Sequence, residues 1–164
     1  MFEKLKQFLH ESVHHANVAE RLPEDQVAVA AILLEVAEAD RNFAPEEFRE
    51  IIIQLRAYFG MSKEEVEDLL ATASQAREKA TDLFPFTNAI ARTYAPDRKQ
   101  EVLTMVWQVI FSDDRLDPFE DQLAGRLQTL LSVNHSVLID AKEKAREIQR
   151  ARADRSGVGS APRR

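Results

Sequence analysis

DQVAVAAILLEVAEA, residues 25–39, is apolar on nearly every side of a helix. A surface helix shows one apolar stripe, so a segment apolar all round marks a helix buried at the centre of a domain. The rest of the chain supplies helices to surround it. Pro45 stands at a helix start, with Phe48, Ile51, Ile52, Leu55 and Phe59 following at spacings of three and four, and Gly60 closing it. Ser62 and Glu65 have the spacing of a capping box ahead of Val66, Leu69, Leu70 and Ala73. Asp82 reads as the N-cap of a helix holding Pro85 in its first turn. From Pro96 runs a second strongly apolar helix containing VLTMVWQVIF, and Asp117-Pro118 opens another with Phe119, Leu123, Leu127 and Leu131. Asn134 caps the last, which carries Val137, Leu138, Ala141, Ala145 and Ile148. No segment alternates with period two long enough to propose a strand. The expectation is an all-α fold: a single bundle of seven to eight helices with short connections.

Three regions are expected along the 164 residues: an amphipathic helix over 1–22, a helical domain over 23–150, and a disordered basic tail over 151–164. The composition, 45% hydrophobic and 30% charged, is that of a soluble globular protein. Residues 150–164 hold five arginines against Asp154, a charge of +4, so the preceding residues carry −10 of the formal −6. An acidic body repels a phosphate backbone, which argues against nucleic acid and favours divalent cations or basic protein partners. There is no cysteine, which excludes disulfides and thiolate chemistry. No apolar run reaches the ~20 residues of a membrane span, and the N-terminus lacks a secretory signal, so the expected compartment is the cytoplasm. Phe2, Leu5, Leu9 and Val13 share one helical stripe, which would dock on the protein itself or lie on a membrane surface.

His10, Glu11 and His14 spell H-E-x-x-H, a zinc-protease motif. Such chemistry needs a third ligand and a strand edge for substrate. His15 points about 100° away from His14 on a helix, His135 is remote, and an all-α chain has no strand edge. The motif therefore reads as a chance match, and no enzyme activity is expected. Ser136 beside His135 has no claim to be a nucleophile, and Phe84, Phe86, Trp107 and Phe111 fall at helical spacing as core residues.

The chain also repeats itself. EADRNFAPEEF (38–48) aligns with FSDDRLDPFED (111–121), pairing Asp40 with Asp113, Phe43 with Leu116, Pro45 with Pro118 and Glu47 with Glu120. Both copies follow an apolar helix and precede an amphipathic one, as a duplicated helix–loop–helix would. Asp40, Glu47, Asp113, Asp117 and Glu120 are the candidate ligands of a divalent cation such as Ca2+, which takes six to eight oxygens. The same residues also suit helix caps: Asp117-Pro118-x-Glu120 places an oxygen at the N-cap, proline at N1 and an acid at N3. Both readings stand on the sequence.

The pattern of apolar helix, Ala-Asp, short loop and Pro-x-Glu, given twice with a helical spacer, resembles the TerB family. That family is named for bacterial tellurite resistance, and a related domain forms the N-terminal part of a membrane-bound DnaJ-type co-chaperone. The resemblance spans roughly residues 24–148 and fits the stand-alone bacterial branch best. It implies an all-helical domain without established catalytic activity, a divalent-metal site in the acidic loops and a role in stress-response assemblies. The family pattern has glycine directly after each loop aspartate, where this chain has Arg41 and Asp114. Glycine permits close backbone approach to an ion, and Arg41 adds a positive charge beside the first loop.

Overall fold

The structure, a computed structural model, describes residues 22–39, 44–113 and 118–157. Among these lie seven helices and no strand: α1 (Glu24–Glu38), α2 (Pro45–Phe59), α3 (Lys63–Lys79), α4 (Phe84–Thr93), α5 (Pro96–Phe111), α6 (Pro118–Leu130) and α7 (His135–Gly157). The expected helix over 1–22, apart from Leu22, lies outside the described residues, and His10, Glu11 and His14 lie outside with it.

α1 occupies the centre, as its composition requires. Ala28 to Leu34, Val36 and Ala37 are all buried. It packs against α2, α3, α4 and α5. Ile32, Leu33 and Leu34 are fully buried, and each contributes ~1.5–3 kcal/mol through removal from water. The polar residues of α1 are held at its ends. Glu35 and Glu38 both receive Arg77 of α3, Glu38 at 2.9 Å. Asp25 accepts a hydrogen bond from the Tyr94 hydroxyl at 2.8 Å, which ties the start of α1 to the junction between α4 and α5.

Helix starts follow proline and capping residues closely. Pro45 and Pro96 open α2 and α5, and Ser62 with Glu65 forms the capping box of α3, each side chain accepting from the other's backbone N–H. Asp82 acts one position earlier than a cap: Leu83 is the N-cap of α4, and Asp82 accepts from the Phe84 amide at 2.9 Å. Gly60 ends α2 in the left-handed region at φ 65°. Ser132 takes the same conformation, φ 57°, after α6.

Two expectations change. Phe84 is 59% exposed while Phe86, Trp107 and Phe111 are buried. Two residues along a helix turn the side chain by about 200°, so Phe86 can face the core only if Phe84 faces away. Residues 151–157, expected in the disordered tail, instead continue α7 to Gly157. The segment ARADRS contains strong helix formers and no breaker before that glycine. Among the described residues, no helix is long and apolar enough to cross a membrane.

Candidate metal centre

Pro45 and Pro118 each occupy the first helical position, so Glu47 and Glu120 are each the third residue of their helix. Both point inward and are 1% exposed. The positive end of a helix dipole favours a carboxylate at this position. Asp113 reaches the same place from the other direction, two residues beyond the end of α5, and is half-buried. There the dipole is reversed, and the end of α5 favours a cation.

One carboxylate oxygen from each of Glu47, Asp113 and Glu120 lies within 4.8 Å of the other two. Oxygens on opposite sides of a Ca2+ ion, each at ~2.4 Å, stand about 4.8 Å apart, so all three oxygens fit around one ion. The donor set is oxygen only, which selects hard cations over zinc or copper. Two of the three acids are buried at the starts of helices and the third is half-buried just past the end of another. The cluster thus has the size and chemistry of a divalent-cation site.

Of the five carboxylates that the sequence singled out, the structure brings these three together. Asp40 and Asp117 lie outside the described residues. His135 is exposed at the start of α7, its Nδ1 3.1 Å from Gln128 Oε1.

Beside the cluster lies a second polar group that sequence reasoning missed. Glu50, one turn after Glu47, is 7% exposed, and Arg152 of α7 donates to both of its carboxylate oxygens from the one nitrogen Nη1, at 2.8 and 3.0 Å. Gln54 donates to the same carboxylate. Gln149, one turn before Arg152, donates from Nε2 to the Phe111 carbonyl at 2.9 Å, meeting one of the open carbonyls at the end of α5. A signal existed: Glu47, Glu50 and Gln54 recur at the same three-to-four spacing as the core residues Ile51 and Leu55. Polar residues repeating along a buried stripe mark an internal polar network.

Residues 26–143, well over half of the chain, match the family described as Tellurite resistance protein TerB. No curated protein and no solved structure gave a match. The matched region contains all but the first two residues of the buried central helix α1, the proline-started helices α2 and α6, and all three carboxylates of the cluster. By this match, and with an all-helical fold, the chain belongs to the TerB family.

Proposed function

We propose that this chain is a non-catalytic TerB module that binds a divalent cation, Ca2+ foremost, through Glu47, Asp113 and Glu120. The observation that carries the reading is the convergence of those three carboxylates within 4.8 Å. A bound cation would neutralise them and tie α2 and α6 to the end of α5. In sequence, Asp40 and Asp117 offer two further carboxylates toward the six to eight oxygens that Ca2+ takes. The two helix–loop–helix units act here as duplicated halves, each giving the third residue of a proline-started helix. The family's name supports a stress-response role of the tellurite-resistance type, and on this reading the module works in the cytoplasm alongside a protein partner. The amphipathic stripe at the N-terminus would serve such a partner or a membrane surface.

The second reading is a plain helical interaction module whose acids only cap helices. It is favoured by the position of Glu47 and Glu120, third in their helices, where acids are preferred without any ion.

A thermal melt of metal-stripped protein separates the two. Ca2+ at about 100 times its Kd adds ~2.7 kcal/mol, which raises Tm by roughly 5–10 °C for a domain of this size. Asp113→Ala is expected to abolish that shift. If the acids only cap helices, no ion moves Tm. Asp113→Ala then changes Tm by the same amount with or without Ca2+.

A further inference from the structure

α7 changes character along its length. Leu138, Ala141 and Ala145 form its buried stripe against the bundle. Gln149 and Arg152 follow at the same helical spacing but are exposed residues whose polar ends reach other helices. Gln149 holds the last carbonyl of α5, Phe111, two residues before Asp113. Arg152 holds Glu50 of α2, one turn after Glu47. The clasp therefore grips α2 and α5 immediately beside the points from which two of the three converging carboxylates project. Gln149 and Arg152 also lie beyond the segment that matches the TerB family, residues 26–143.

We propose that the end of α7 is a latch coupled to the acidic cluster: its docking holds Glu47 and Asp113 in register, and a cation in the cluster holds the latch closed. The inference rests on the cation-binding reading and extends it to regulation. Coupling between two sites is reciprocal, so whatever undocks α7 must weaken the cation by the same factor that the cation strengthens docking. The cation site thereby gains an output, since the last two turns of α7 carry Arg150, Arg152 and Arg155 on an otherwise acidic protein.

Geometry and charge make opposite predictions, which allows a sharp test. Arg152→Gln removes the grip on Glu50 together with a positive charge, whereas Gln149→Ala removes the grip on Phe111 with no change of charge. If the latch orders the cluster, both variants bind Ca2+ about fivefold or more weakly in calorimetric titration. If Arg152 matters only as a nearby charge, Arg152→Gln binds Ca2+ more tightly and Gln149→Ala binds as wild type, which overturns the latch. A merely structural role would lower the ion-free Tm and leave the Ca2+ affinity unchanged, and that result overturns it too. Hydrogen exchange on the unaltered protein tests the same claim without any variant. Ca2+ is expected to slow exchange of the amides of residues 148–156, and unchanged exchange at saturating Ca2+ overturns the latch while the cation reading stands. Absence of Ca2+ binding by the unaltered protein overturns both.

Discussion

Gly60 and Ser132 hold the same left-handed backbone, φ 65° and 57°, at the ends of α2 and α6. In both turns a backbone amide reaches back five residues, from Met61 to Arg56 and from Val133 to Gln128, as a left-handed helix terminus provides. A Cβ added to Gly60 would have no atom within 4 Å. The cost of Gly60→Ala is therefore one of backbone conformation and not of crowding, about 1 kcal/mol. Ser132→Gly is expected to act in the opposite sense and stabilise by up to ~1 kcal/mol. Urea denaturation of both variants checks the pair. Only one of the two turns was legible in the sequence. Gly60 announces a helix end because glycine alone adopts this conformation without strain, whereas Ser132 does so against its preference, and composition carries no sign of it.

At the scale of helices, the starts were legible and one end was not. Proline at N1 and the Ser62–Glu65 box are local signals, and the structure places α2, α3, α5 and α6 where they point. The last turns of α7 dock through Arg152 meeting Glu50, 102 residues earlier, and no local pattern encodes such a pairing. The acids divide the same way. Glu47, Asp113 and Glu120 stood out because the pattern occurs twice, whereas Glu50 showed only in its core spacing with Gln54, and its partner Arg152 is set by packing. Between elements, the Tyr94–Asp25 hydrogen bond is a tie with a pH signature. Burial first, and then the neighbouring Asp25, raise the Tyr94 phenol above its ordinary value of 10.0. Burial raises Tyr58 as well, outweighing the opposite effect of Arg98. The folded state thus keeps protons that the unfolded chain releases above pH ~10, so this stability is complete below that pH and lost as pH rises beyond it. Tyr94→Phe is expected to cost about 1 kcal/mol at neutral pH and to flatten the alkaline fall, as denaturation between pH 8 and 11 would show.

For the molecule as a whole, the central helix bears heavily on stability. α1 packs against four others, so a cavity beneath it loosens several interfaces at once. Leu33→Ala is expected to cost ~3 kcal/mol, lowering Tm by about 10 °C in a single transition, because the buried residues of all seven helices form one continuous core. Biphasic melting would show that a subset of helices is stable alone. The fold class was legible because a segment apolar on all sides has few other solutions, and the surrounding helices carried their own stripes. The same geometry has a consequence during synthesis. α1 leaves the ribosome before any of the described helices that cover it, and their cover over its apolar surface is not complete until the chain has been made through Phe111. At ~5–20 residues per second that interval is on the order of 4–15 s, when the nascent chain offers its stickiest segment to the crowded surroundings before it can bury it.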